Sequence, residues 1–108
     1  MVEQLRIYEI FEHNKAAFHE RFRDHAMRIM RRHDFDIRAA WESRGERRTE
    51  FVYMLRWPDV AAKEAAWLAF LADEEWREIK RVTAARHGDL VGEIQDRVLV
   101  TVPYSPAA

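Results

Sequence analysis

Apolar positions along the chain switch between a period of about four and a period of two, and each switch marks an element. Residues 4–11 hold Leu5, Ile7, Tyr8, Ile10 and Phe11 with few helix formers, a short strand. Phe18, Phe22 and Ala26 then recur every four residues, followed by Ile29 and Met30, while Glu20, Arg21, Arg23, Asp24, Arg28 and Arg31 lie off that line. This is an amphipathic helix with one buried stripe, opened by Asn14 as N-cap and closed near His33. Asp34 is placed to take a left-handed cap conformation, with Phe35 packing back.

Residues 36–43 alternate, with Ile37, Ala39 and Trp41 assigned to one face and Arg38 and Glu42 to the other. After the polar turn 44–48, residues 49–57 form the second arm of a hairpin, and Pro58 stops it. Asp59 caps a nearly all-apolar helix over 60–72, with alanines and Leu68 on one side and Val60, Trp67 and Leu71 on the other. Two apolar faces require two partners. Asp73 caps a third helix that presents Trp76, Ile79 and Thr83 and ends at Gly88. A last strand is expected over 93–102, where Pro103 forbids further pairing.

The order β-α-β-β-α-β predicts an α+β fold of the ferredoxin-like, split βαβ type: a four-stranded antiparallel sheet with helices on one face. Residues 1–103 are expected to form one domain and residues 104–108 a loose tail. In the strand over 49–57, Phe51, Tyr53, Leu55 and Trp57 line one side, and Val52 and Met54 make a second apolar row. A helix-covered sheet with an apolar bare face calls for a homodimer through sheet-to-sheet packing, a dimeric α+β barrel.

Composition narrows the function classes. With 48% apolar and 34% charged residues the chain is globular, and a formal charge of -1 offers no field for nucleic acid or an anionic membrane. No cysteine is present, so disulfides, thiolate nucleophiles and cysteine metal sites are excluded. Without a leader-like start or a spanning apolar run, the expected compartment is the cytoplasm.

Leu5-Arg6-Ile7-Tyr8 resembles the Leu-Arg-x-Tyr opening of the NIPSNAP family. Residues 51–59, Phe-Val-Tyr-Met-Leu-Arg-Trp-Pro-Asp, followed by Ala66-Trp67-Leu68-Ala69-Phe70, resemble its central block. The likeness runs from about residue 3 to residue 105. It implies the dimeric α+β barrel fold, shared with antibiotic-biosynthesis monooxygenases, heme-degrading enzymes and chlorite dismutases, and it implies no single reaction. By analogy with the heme-degrading proteins, an axial histidine would follow an aromatic on the last helix. Anchored on Trp76, that position falls near Lys80, so heme is disfavoured and no cofactor is expected.

His13, His19, His25 and His33 are spaced six, six and eight apart, not the three or four that a metal pair on one helix face needs. No metal site is expected. The aromatic residues are more distinctive. Tyr8, Trp41, Tyr53, Trp57, Trp67 and Trp76 come from elements that converge in this fold, with Arg6, Arg56 and His25 nearby as polar anchors. Together they make a candidate lining for an apolar or aromatic organic ligand between helices and sheet. Tyr8, His13 and Glu42 are the candidate acids or bases, with His25 a further possibility at the edge of the buried stripe. The competing reading is a non-enzymatic interaction module in which Trp67 and Leu71 dock a protein.

Overall fold

The computed structural model describes residues 1–106, and Ala107 and Ala108, the end of the expected tail, lie outside the described residues. Strand β1 (Val2–Ile10) leads through a 3-10 turn (Glu12–Asn14) into a long helical stretch. That stretch comprises α1 (Lys15–Arg21), a π-helical turn (Phe22–Ala26) and α2 (Met27–Arg32). The hairpin β2 (Asp36–Arg44) and β3 (Thr49–Trp57) follows, then α3 (Val60–Ala72), α4 (Glu74–His87) and β4 (Val91–Leu99). The four strands pair antiparallel in the order β2-β3-β1-β4, the ferredoxin-like arrangement the element order predicts.

Local chemistry accounts for most boundaries. Phe18, Phe22, Ala26, Ile29 and Met30 are all buried, the stripe expected for the first helical stretch. At its end Asp34 takes φ 68°, and the Phe35 N–H donates to the Met30 carbonyl at 3.1 Å, closing a Schellman-type cap over buried Phe35. The Asp59 carboxylate accepts from Ala62 N–H at 2.7 Å, and Asp73 from Trp76 N–H at 3.1 Å. Gly88, at φ 73°, ends α4. Asn14 corrects one expectation: its side chain makes no cap bond. Instead its Nδ2 donates to the carbonyls of His87 and Asp89, strapping the start of α1 to the α4–β4 turn.

Two further differences matter for the site. In β2 the register slips between Ile37 and Ala39, a bulge at Arg38. Ile37 therefore packs with the core beside Leu55, while Ala39 and Trp41 face outward beside Met54 and Val52. In the first helical stretch, Met27 N–H reaches the Phe22 carbonyl five residues back, so the spacing of four continues through a π turn. The last strand begins two residues earlier than expected and ends at Leu99, ahead of Pro103. Among the described residues no helix is long and apolar enough to cross a membrane.

The bare face of the sheet carries two adjacent apolar rows. Register aligns Trp41, Val52 and Ile7 in one, and Ala39, Met54 and Leu5 in the next. Polar rows bracket them, Ser43, Glu50 and Glu9 on one side and Asp36, Arg56 and Glu3 on the other.

Candidate functional site

Between the helices and the sheet lies a cavity of about 180 Å³. Its floor is Arg6 and Tyr8 of β1 with Val91 and Ile94 of β4, and Phe18, Arg21, Phe22, Ala26 and Met30 close one side. Trp67, Phe70 and Leu71 of α3, then Trp76 and Lys80 of α4, form the other. The lining is largely apolar, the usual make-up of an organic-ligand site. The π turn supplies two of its residues, Phe22 and Ala26. Such turns recur at functional sites because they re-aim side chains within a continuous helix.

A polar chain runs beneath the aromatic walls. Gln4 is fully buried, and its Oε1 accepts from Trp57 Nε1 at 2.9 Å and from Trp67 Nε1 at 2.8 Å. Its Nε2 donates to Asp96 of β4 at 3.0 Å. Asp96 also receives Arg6 Nη1 at 3.1 Å, and Arg6 Nη2 donates to the Tyr8 hydroxyl at 3.2 Å. The Tyr8 hydroxyl shares a 2.5 Å hydrogen bond with that of Tyr53, which is fully buried behind it. The Arg6 guanidinium lies 4.4 Å from the Trp67 ring centre, a cation–π contact. The Trp57 and Trp67 indoles and the Gln4 amide are thereby paired, as burial requires.

Charge is fixed along this chain. Burial raises the Tyr53 phenol well above its ordinary pKa of 10, the neighbouring Tyr8 adds to the rise, and Arg6 opposes it. Tyr53 thus keeps its proton and holds the Tyr8 oxygen in place. Burial acts to lower the pKa of Arg6, but the two tyrosine oxygens outweigh it and the net shift is upward. Arg6 is therefore a permanent cation, and its Nη2 donates to the Tyr8 hydroxyl.

The structure brings together part of the expected constellation. Arg6, Tyr8, Trp67 and Trp76 line the cavity, and Tyr53 and Trp57 stand behind it as hydrogen-bonded supports. Trp41 does not join them: the bulge turns it to the bare face, where it is 50% exposed. Arg56 shares that face, because it alternates with the core-facing residues of β3, and its Nε bonds Glu3 at 2.9 Å. His25 points away into a groove between α1 and α4, with Glu20, Glu78 and His87. His13 is exposed, stacked on Phe11 in the 3-10 turn. Glu42 lies under α1, 3.2 Å from Lys15 and 3.1 Å from Arg44. Lys15 above all, then Arg44, hold it ionised below its ordinary pKa, outside the cavity.

Sequence reasoning missed Gln4, Asp96, Arg21 and Lys80. Gln4 had a signal, an amide on the same strand face as Arg6 and Tyr8. Asp96 lies 92 residues from Gln4, and its partnership is visible only after folding. Heme does not fit the lining: the position anticipated for an axial histidine is Lys80, and no histidine lines the cavity. Among the described residues no group of three or more metal-ligating side chains is placed to hold an ion.

The β2-β3-β1-β4 sheet with its helices on one face defines a ferredoxin-like α+β protein, and solved structures agree. An antibiotic biosynthesis monooxygenase superposes with TM-score 0.62 at 16% identity, over 95% of this chain and 100% of that one. Closer in shape is a NIPSNAP family protein from Agrobacterium tumefaciens C58, with TM-score 0.83 at 13% identity, covering 99% and 98% of the two chains. An uncharacterized NIPSNAP domain protein from Burkholderia xenovorans gives TM-score 0.81 at 17% identity, covering 98% and 99%. The NIPSNAP family model matches residues 2–106, and the chain belongs to the NIPSNAP family. A comparison with curated proteins found no match.

Proposed function

We propose that this NIPSNAP protein binds a small apolar or aromatic organic molecule in the cavity between helices and sheet, and that two copies pair through their bare sheet faces. The observation that carries the first half is the aromatic lining over the Gln4–Asp96–Arg6–Tyr8–Tyr53 chain. Such a lining offers stacking surface to a ring and one polar edge to orient it. Tyr8, between a fixed cation and a phenol that keeps its proton, is the group placed to exchange a proton with a bound molecule. Cofactor-independent, monooxygenase-like turnover is the reaction to test, with dioxygen as the oxidant and the substrate as the reductant: a ring methylene loses two hydrogens and becomes a carbonyl with one oxygen atom, and the other leaves as water. Likeness in fold to the monooxygenase supports that choice of reaction at the level of architecture alone.

Native mass spectrometry of the purified protein for a retained organic molecule tests binding directly, and tryptophan emission against a panel of aromatic compounds tests it in solution. We expect a response that Trp67→Ala abolishes. Silence in both experiments would remove the reading. Oxygen consumption with a bound aromatic, lost in Tyr8→Phe, would establish turnover.

The apolar rows on the bare face support the homodimer, because six such residues side by side are a large surface to leave in water. Light scattering at micromolar concentration should give twice 13.0 kDa. The interaction-module alternative rests on α3, where Leu68 is 74% and Leu71 51% exposed. Trp67 does not serve it, being turned inward to Gln4. A pull-down that recovers another protein in a Leu68-dependent way would favour that alternative.

A further inference from the structure

Four arginines are half-buried, Arg6, Arg21, Arg48 and Arg56. Arg6 faces Asp96, Arg48 faces Glu50, and Arg56 faces Glu3, each within 3.1 Å. Arg21 has no carboxylate within ion-pair distance among the described residues, and it lines the cavity. Its guanidinium lies 5.4 Å from the Trp76 ring centre. Lys80 approaches the same ring at 5.8 Å, lines the same cavity, and has no ion pair among the described residues either. Two cations thus flank one indole at the partly exposed rim, in a chain whose acidic residues outnumber its basic ones.

The nearby acids do not neutralise them. Asp96 is engaged by Gln4 and Arg6, and Glu78, in the adjoining groove, is held by Arg81 at 2.5 and 3.0 Å. Glu20 lines that groove without reaching ion-pair distance of Arg21. The strain registers in the lysine: burial, then Arg21 and Arg77, lower its pKa from the ordinary 10.5. Burial also lowers that of Arg21. A partly desolvated pair of like charges is stabilised by an anion placed between them.

We infer that the ligand of this cavity is an organic anion, an apolar or aromatic body bearing a carboxylate or similar group that Arg21 and Lys80 hold beside Trp76. The inference rests on the cavity being the ligand site and adds the ligand's charge and orientation. The anionic group sits at the rim and not at Arg6, whose charge Asp96 already balances. The body extends inward across Phe22, Trp67 and Phe70 toward Tyr8. Apolar cavities of about 150 Å³ hold benzene, so about 180 Å³ suits one ring with a short chain reaching the rim.

The test uses three probes of one shape, 3-phenylpropionate, its amide and 3-phenylpropylamine, titrated into 15N-labelled protein. The indole N–H signals are the readout. Trp67 and Trp76 line the cavity, and Trp41, on the bare face, is the internal control. The acid should bind about tenfold more tightly than the amide, as a charge-assisted contact at a partly exposed site warrants, and the amine should bind most weakly. In the partly exposed double variant Arg21→Gln/Lys80→Gln the acid should fall to the amide's affinity, with the amide unchanged. Equal binding of acid and amide, or preference for the amine, would overturn the inference and leave the cavity reading intact. A preference for the acid that survives in the double variant would overturn the assignment to Arg21 and Lys80. Silence of Trp67 and Trp76 toward all three probes would remove the cavity reading, and the inference with it.

Discussion

On the helix-covered face of the sheet, Gln4, Arg6 and Asp96 stand on neighbouring strands and every one of them meets a polar partner. On the bare face the same β1 offers Leu5 and Ile7, flanked by Met54 and Val52 of β3, with charged residues in the rows beyond. The two faces are one residue apart along the strand. The covered face is the more polar at its centre, contrary to a simple inside–outside rule. Burial there is tolerable because the amide, the carboxylate and two indoles pair with one another and the guanidinium reaches Asp96 and Tyr8 through its two terminal nitrogens. The bare face pairs its charges in the outer rows, Arg56 with Glu3 and Arg48 with Glu50, and leaves its two central rows apolar. Directional bonds organise one side, and undirected apolar area is left on the other.

Gln4 offers the largest effect by which to break this contrast. Gln4→Leu keeps the volume but leaves the buried Trp57 and half-buried Trp67 indole N–H groups without a partner, each costing roughly 1–3 kcal/mol, while half-exposed Asp96 keeps Arg6. We expect a loss of about 3 kcal/mol in urea unfolding with self-association retained at temperatures where the fold persists. A near-neutral substitution would mean that the polar chain is ornament on an apolar core. Val52→Asp probes the other face, at the middle of the first apolar row. A carboxylate pressed into a sheet-to-sheet interface should weaken pairing by about a hundredfold, an order-of-magnitude figure for an unpaired charge at an interface. Sedimentation should then show monomers with unchanged far-ultraviolet circular dichroism.

Acid pH separates the faces without mutation. Asp73 caps α4 and receives Arg32 at 2.7 Å and His33 at 2.7 Å, while Glu75 receives Arg28 and Arg32, so α2 is clamped to α4 across the roof of the cavity. Arg32 and His33 hold the Asp73 carboxyl well below its ordinary range, and Arg28 with Arg32 brings that of Glu75 from 4.5 to about 2. Carboxyls depressed on folding add stability that is complete above their unfolded pKa and is lost as protons bind. The clamp should therefore weaken as pH falls from about 4.5 toward 2. Asp73→Ala should remove the cap at a cost of about 1 kcal/mol and flatten this part of the pH–stability curve. An unchanged acid limb in Asp73→Ala would show the clamp to be incidental.

How much of this was legible in the sequence depends on the range of the contact. Period and caps give β3 and α3 to the residue, because Pro58, Asp59 and Asp73 act on their immediate neighbours. The Asp34–Phe35 cap is equally local. Trp41 was misplaced because a bulge at Arg38 leaves Ile37, Ala39 and Trp41 looking like a regular alternation while inverting the face after Ile37. The π turn is hidden for a related reason, since Phe22 and Ala26 keep the spacing of an ordinary helix. Of the site, Arg6 and Tyr8 followed from alternation along one strand. Asp96, Arg21 and Lys80 did not, since each matters through what lies opposite it, and only the folded chain brings those residues together.

The smallest expected difference is also the most direct comparison of the faces, one hydrogen-bonded side chain removed from each. Arg56→Gln on the bare face gives up a partly exposed ion pair with Glu3, worth about 0–1 kcal/mol in water. Tyr8→Phe removes one oxygen, yet that oxygen receives Arg6 and pairs with a Tyr53 hydroxyl that has no access to solvent. We expect about 1 kcal/mol or slightly more, because the buried Tyr53 hydroxyl is left short of a partner. The two should also differ in kind. Tyr8→Phe should alter aromatic-ligand affinity and any turnover with pairing unaffected, and Arg56→Gln should change pairing slightly with binding unaffected. Equal costs together with exchanged phenotypes would mean that the site lies on the bare face and the covered face is simply core.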